Sequence, residues 1–133
     1  MSYITQQKVV LGDVFERAKR PLTPREICEE ARKKLPSLGI ATVYRFIRQF
    51  VSDGHVRPVE IPGVAPHYER AARRHHHFFL CRQCRRLFEL IGCLRGVQSL
   101  APAGFCVQEH EIVLYGDCAA CVGKPGKCTP RLL

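Results

Sequence analysis

No run of about 18 apolar residues occurs in the chain, so no membrane-spanning helix is expected. The opening segment MSYITQQKVV lacks the basic start and apolar core of a secretion signal, and a cytoplasmic location is the expectation. Internal repeats and low-complexity tracts are also missing. Acidic residues are scarce, 12 against 21 Lys and Arg, which leaves a formal charge of +9. The excess leans toward the first half, where residues 1–74 hold fourteen basic and eight acidic side chains. Such a balance attracts polyanions, with plain solubility as the bland alternative. What remains is globular composition, 46% hydrophobic and 25% charged, enough for one domain or two very small ones over 133 residues.

Cysteine is abundant. There are eight: Cys28, Cys81, Cys84, Cys93, Cys106, Cys118, Cys121 and Cys128. In a reducing compartment, paired cysteines more often hold metal than form disulfides. Cys81-Arg82-Gln83-Cys84 and Cys118-Ala119-Ala120-Cys121 make two C-x-x-C turns. Each turn aims two thiolates at one ion, and two turns complete the tetrahedral four-thiolate shell that suits structural zinc. The 33 residues between the pairs exceed the usual ribbon spacing, which requires the intervening loop to be folded itself. A redox dithiol is the alternative. It needs one pair on a strand-to-helix turn, whereas here there are two pairs and Cys84 leads into a strand. Cys28 reads as core, Cys93 and Cys106 as core or unpaired thiols, and Cys128 as a tail thiol.

The first half reads as three helices and a hairpin. Val10, Val14 and Ala18, with Leu11 and Phe15 beside them, form one apolar helical face. Thr23, Pro24 and Glu26 form the capped start of a second helix, with Ile27, Ala31 and Leu35 on one face and Pro36 as its stop. A third helix is expected over Ile40–Ser52, ended by Asp53-Gly54. Val43, Ile47, Phe50 and Val51 line its inner side, while Thr42, Arg45, Arg48 and Gln49 line the other. A strand from His55 to Ile61, a turn at Pro62-Gly63 and a return at His67–Arg70 complete a winged helix-turn-helix pattern. In that pattern the third helix enters the major groove, with Thr42, Tyr44, Arg45, Arg48 and Gln49 as candidate DNA contacts. A solvated helix face is the competing reading. The hairpin that follows and the basic first half weigh against it.

The second half reads as short strands at Phe78–Leu80, Leu87–Ile91 and Ile112–Tyr115, with a helix over Cys93–Leu100 weakened by Gly96 and stopped by Pro102. The fold class is therefore α+β. An N-terminal winged helix over 1–72 precedes a small α/β domain over 73–133 that carries the four-cysteine site, with the composition shift at 71–77 as the hinge.

His75-His76-His77 lies in this hinge. In extended chain His75 and His77 share one side and His76 faces the other, so one run can serve two metal sites. Glu69, Glu89, His67 and His110 are available partners, and a solvated hinge is the alternative. His67-Tyr68-Glu69 also reads H-x-E ahead of a C-x-x-C, as in zinc deaminases. However, Leu80 stands where that signature has proline, and the second cysteine pair would have no role.

Taken together, GIATVYRFIRQFVSDGHV (39–56), HYE (67–69), HHHFFLCRQC (75–84), FE (88–89) and LYGDCAAC (114–121) resemble the ferric uptake regulator (Fur) superfamily over nearly the whole chain and in the family's order. The resemblance implies a homodimeric, metal-dependent regulator, usually a repressor, that binds palindromic double-stranded operators and has neither a membrane partner nor a small-molecule substrate. It implies that Cys81, Cys84, Cys118 and Cys121 hold structural zinc. A second, regulatory divalent ion, zinc or iron, is implied at one of two further sites. For the inter-domain site, Glu69, His76 and Glu89 match, but Phe78 replaces one histidine and Pro21 stands at another, with His67 or His55 as substitute. For the site within the dimerisation domain, His75, His77 and His110 match. The usual helix glutamate is absent there, and Cys93 or a carboxylate such as Glu111 is left to complete the set. A cysteine among the ligands leans toward zinc. The expected mechanism is a metal that ties wing and hinge to the dimerisation domain through Glu69, His76 and Glu89. Rival readings are a metal-independent winged-helix regulator, a zinc deaminase or hydrolase, and a peroxide sensor.

Overall fold

The structure is a computed structural model that describes residues 2–71 and 75–123; Cys128 and part of the 71–77 hinge segment lie outside them. The chain divides into two compact units, Met1–Arg73 and Arg74–Leu133.

Helix α1, Tyr3–Arg17, opens the first unit and is capped by Ser2, whose hydroxyl accepts from the Thr5 amide at 3.1 Å. Its buried line is Gln7, Leu11 and Phe15, spaced at i, i+4 and i+8. Val10, Val14 and Ala18, the row read from the sequence, flank that line half-buried against the same core. Helix α2, Pro24–Arg32, carries the capping box in full. Thr23 Oγ1 accepts from the Glu26 amide at 3.2 Å, and Glu26 Oε1 accepts from the Thr23 amide at 3.1 Å. It ends before Pro36, because the Lys33 and Lys34 amides turn to the Glu30 and Ala31 carbonyls and tighten the last turn. Leu38, beyond that turn, is fully buried.

Helix α3 spans Ile40–Ser52 and buries Val43, Phe46, Ile47 and Phe50. Val51 is only half-buried; Phe46, which the sequence reading left off the inner face, lies inside with its ring 6.2 Å from that of Phe50. Gly54, at φ 80°, ends the helix. The His55 amide bonds the Phe50 carbonyl at 2.9 Å and the Gly54 amide bonds the Val51 carbonyl at 3.1 Å, a Schellman pairing. Strands β1, Val56–Val59, and β2, His67–Arg70, pair antiparallel with Arg57 opposite Glu69. Pro62 and Gly63 turn between them, with Gly63 at φ 76° as a type II turn requires. Leu22 joins β2 through two hydrogen bonds to Tyr68, so the approach to α2 is stitched to the hairpin. One core holds the unit together: Leu11, Phe15, Leu22, Ile27, Cys28, Ala31, Leu38, Val43, Phe46, Ile47, Phe50 and Val56.

The second unit is a three-stranded sheet in the order β4-β3-β5, formed by β3 (His77–Cys81), β4 (Leu87–Leu90) and β5 (Val113–Gly116). Strand β3 pairs antiparallel with β4 and parallel with β5. The α-helix expected over Cys93–Leu100 does not form. A 3-10 turn over Val97–Leu100 stands in its place. The physical reason is the pair Gly92 and Gly96, at φ 92° and 81°, a left-handed conformation that no α-helix contains. Consequently Cys93 sits in irregular chain rather than on a helix. Among the unit's described residues, Leu80, Cys81 and Leu87 are the buried apolar side chains, whereas Ile91, Leu94, Leu100 and Phe105 are exposed. No helix among the described residues is long and apolar enough to cross a membrane.

Candidate functional site

The antiparallel turn from β3 to β4 is built by the first C-x-x-C. The Arg85 amide bonds the Cys81 carbonyl at 2.9 Å, and Arg85 itself takes a positive φ of 63° to close the knuckle. The second C-x-x-C follows β5, which lies beside β3, and the Arg82 amide bonds the Gly116 carbonyl at 2.7 Å. Parallel pairing of β3 and β5 thus brings together cysteine pairs with 33 residues between them. Cys81, Cys84, Cys118 and Cys121 place their sulfurs within 4.8 Å of one another, with Cys84 and Cys118 at 3.9 Å. A tetrahedral zinc site with ordinary zinc–sulfur bonds has sulfur edges of roughly 3.8 Å, so the set fits zinc.

Backbone amides prepare the Cys81 sulfur for charge. Burial alone raises the Cys81 thiol, but the amides of Cys118, Cys84 and Gln83, together with the Cys84 thiol, outweigh it and bring it down to about 6. The Cys118 and Cys84 amides lie 3.3 and 3.5 Å from its sulfur. At Cys84 the Arg86 amide pulls downward, yet burial and the Cys81 and Cys118 thiols leave it raised. Hydrogen bonding with Cys118 and burial push Cys121 up to about 12. The amides thus favour a thiolate at Cys81, and a bound dication is what draws protons from ligating thiols.

A second cluster lies in the same unit. His75 Nε2 is 2.9 Å from His77 Nε2 and 3.1 Å from His110 Nε2. Cys93 Sγ is 3.2 Å from His77 Nε2 and 2.9 Å from His110 Nε2. These four donors all fall within 4.8 Å of one another, and no carboxylate joins them among the described residues, Glu111 included. For zinc with three imidazoles and one thiolate, a tetrahedron has edges of roughly 3.3 Å between nitrogens and roughly 3.6 Å from nitrogen to sulfur. The four separations fall short of those edges by roughly 0.2–0.7 Å, which small side-chain movements make up. His77 is buried, His110 half-buried, and His75 and Cys93 are exposed. Burial holds the His77 imidazole below its ordinary value, and the charges of His75, His110 and His76 add to that. The Ile112 amide donates to His77 Nδ1 at 3.1 Å, so the neutral ring carries its proton on Nε2, and a metal binding there displaces it. That amide has no signature in the sequence; only the β3–β5 pairing brings it to the ring.

His76 does not join this cluster. It is buried and packs edge-on against Phe78, ring centres 5.1 Å apart. Glu89, on β4, is exposed and faces Phe78 across the strand pair. Glu69 and His67 belong to the first unit. The Glu69 carboxylate is 2.6 Å from the Arg57 guanidinium, and His67 is buried with Nδ1 2.7 Å from the Ala65 carbonyl. Any metal role for Glu69 must therefore compete with Arg57, a partner the sequence reading did not single out.

On α3, Tyr44, Arg45, Arg48 and Gln49 are exposed and Thr42 is half-buried. The Arg45 guanidinium lies 5.6 Å from the centre of the Phe46 ring. This polar face backs directly onto Val43, Phe46, Ile47 and Phe50, so the core fixes its direction.

The chain is similar to known regulators along most of its length. It is 30% identical to the ferric uptake regulation protein of Vibrio vulnificus, a match covering 84% of this chain and 81% of that one. With the ferric uptake regulation protein of Campylobacter jejuni it shares 27% identity over 96% of this chain and 83% of the relative. Among solved structures, the ferric uptake regulator of Francisella tularensis with iron superposes at a TM-score of 0.69 and 25% identity, covering 87% of this chain and 91% of that chain. The profile of the Ferric uptake regulator family matches residues 2–115. The chain belongs to the ferric uptake regulator family, whose members are transcription regulators rather than enzymes.

Proposed function

We propose that the protein is a metal-responsive, DNA-binding transcriptional repressor that works as a homodimer in the cytoplasm. Cys81, Cys84, Cys118 and Cys121 hold a permanent zinc, and the exchangeable metal binds at His75, His77, Cys93 and His110. The observation that carries this reading is the second cluster: three imidazoles and a thiolate converge on one point in addition to the four-cysteine site. Three ring nitrogens and a sulfur that meet at 2.9–3.2 Å present their lone pairs to a common point, which one cation satisfies together.

The chain's own residues supply the rest. The Cys81 amide cradle and the β3–β4 knuckle keep the first metal in place and hold β3 to β5. Ligation at the second cluster fixes His75, within the hinge segment, to His110 before β5 and to Cys93 after β4. Metal thereby restricts how the chain leaves the second unit toward the DNA-binding unit. A regulator with many hinge conformations has a small competent fraction, and its apparent affinity falls by that fraction. A hundredfold response needs only about 2.7 kcal/mol of coupling. Ile91, Leu94, Leu100 and Phe105 expose apolar side chains that a second copy would cover. Thr42, Tyr44, Arg45, Arg48 and Gln49 on α3 read the operator, and the +9 charge favours association with DNA.

The test is selection of duplexes from a random library on the untagged protein loaded with zinc, followed by binding titrations with and without a chelator that spares the four-cysteine site. Metal-dependent binding to a palindrome supports the proposal. Palindrome binding that ignores the chelator returns the metal-independent winged-helix regulator.

A further inference from the structure

We infer that Cys93 is the residue that sets which metal is sensed: it makes the second cluster selective for zinc against iron(II) and manganese(II). The inference rests on the proposed sensing role of that cluster and deepens it.

Three features carry it. First, the donor set among the described residues is four. His75, His77, Cys93 and His110 each give one atom, and no carboxylate of the described residues joins them. Iron(II) and manganese(II) favour five or six ligands with oxygen among them, whereas zinc accepts four and accepts sulfur. Second, a thiolate coordinates through one atom only. A carboxylate at position 93 would be able to add a second oxygen and raise the coordination number, and the cysteine cannot. Third, Cys93 is held by the backbone and not by a helix. Gly92 at φ 92° and Gly96 at φ 81° break the chain on both sides, and the sulfur lies 2.9 Å from His110 Nε2 and 3.2 Å from His77 Nε2. The local distortion that removes the expected helix is the one that turns this sulfur onto the imidazoles.

Zinc outcompetes iron(II) at most nitrogen and sulfur sites by the general order of divalent affinities, so a preference in the unaltered protein decides little. The informative quantity is how the preference changes when the donor changes. The experiment uses full-length, untagged protein with the four-cysteine zinc in place. Affinities of the exchangeable site for zinc, iron(II) and manganese(II) are measured anaerobically by competition against a chromophoric chelator, in the unaltered protein and in the Cys93→Asp and Cys93→Ser variants. Cys106→Ser serves as a control, since Cys106 is exposed and outside both clusters. Retention of the four-cysteine zinc and of the circular dichroism spectrum shows that each variant is folded. Cobalt(II) at the exchangeable site adds a second readout: sulfur-to-cobalt charge transfer present in the unaltered protein and in Cys106→Ser, and lost in both Cys93 variants.

The expected result is that Cys93→Asp lowers the zinc-to-iron affinity ratio by at least an order of magnitude, that Cys93→Ser weakens zinc without improving iron, and that Cys106→Ser changes neither. An unchanged ratio in Cys93→Asp, or cobalt charge transfer unaffected by loss of Cys93, overturns the inference while leaving a sensing site in place. Failure of the unaltered protein to take any exchangeable metal overturns both the inference and the sensing role beneath it.

Discussion

Cys93 Sγ lies 2.9 Å from His110 Nε2, although the two residues are 17 positions apart and neither sits in a regular element. Their meeting depends on the sheet. His77 opens β3 and His110 leads into β5, and these strands run side by side. Substituting His110→Ala is therefore expected to remove the exchangeable metal while leaving the four-cysteine zinc, and to abolish the metal dependence of DNA binding. Metal analysis paired with fluorescence anisotropy on the selected duplex checks this. Unchanged metal dependence in the variant would remove this cluster from the mechanism and return attention to Glu69, His76 and Glu89.

The four-cysteine site carries a different expectation. The second unit buries few apolar side chains of its own, chiefly Leu80, Cys81 and Leu87. Structural zinc in small domains supplies on the order of 10 kcal/mol of folding free energy. Cys118→Ser is expected to lose the tightly held zinc and unfold the second unit, while α1, α2 and α3 persist on their own core. Circular dichroism with zinc quantification tests it, and a variant that keeps β3–β5 intact without zinc contradicts it.

For DNA recognition, Arg45→Ala and Arg48→Ala are each expected to weaken operator binding without altering metal content. A side chain that reads a base edge costs about 1–3 kcal/mol and relaxes specificity at one position. One that touches phosphate instead weakens all sequences alike and lowers the salt dependence. Titrations against single-base operator variants at several salt concentrations distinguish the two roles. No effect from either substitution would show that the exposed face of α3 is only solvated.

Acid should destabilise the first unit through Glu26. Burial pushes its carboxyl up, but Arg20 and the amide and hydroxyl of Thr23 outweigh that and hold it below its ordinary value. A depressed carboxylate contributes its stability above the unfolded pKa and loses it as pH falls through the folded one. The contribution is thus complete at neutral pH and disappears below the ordinary carboxylate range. Thr23→Ala removes half of the capping box and is expected to cost about 1 kcal/mol at neutral pH. The gap between variant and unaltered protein should narrow in acid, as followed by urea denaturation. A gap independent of pH would show that Glu26 does not depend on this cap.

Much of this architecture was legible in the chain because its signals are local. Thr23-Pro24…Glu26 marks the start of α2, Asp53-Gly54 the end of α3, and Pro62-Gly63 the wing turn. The alternation of extended chain placed His75 and His77 on one side, leaving His76 on the other, against Phe78. Long-range facts were less accessible. Periodicity around α3 assigns Phe46 to neither face, and packing against Phe50 draws it in. Between Cys93 and Leu100 the expected helix is already weakened by Gly96, and two left-handed glycines overrule it. Arg57 opposite Glu69 follows only from the β1–β2 register.

The most direct test counts metals on the untagged protein by native mass spectrometry, before and after mild chelation. The account requires two ions per chain after incubation with zinc, one of which leaves with the chelator while the other stays on the four cysteines. A single tightly held zinc, unchanged even after exposure to excess zinc, iron(II) and manganese(II), would contradict it and leave a DNA-binding protein with a structural metal alone.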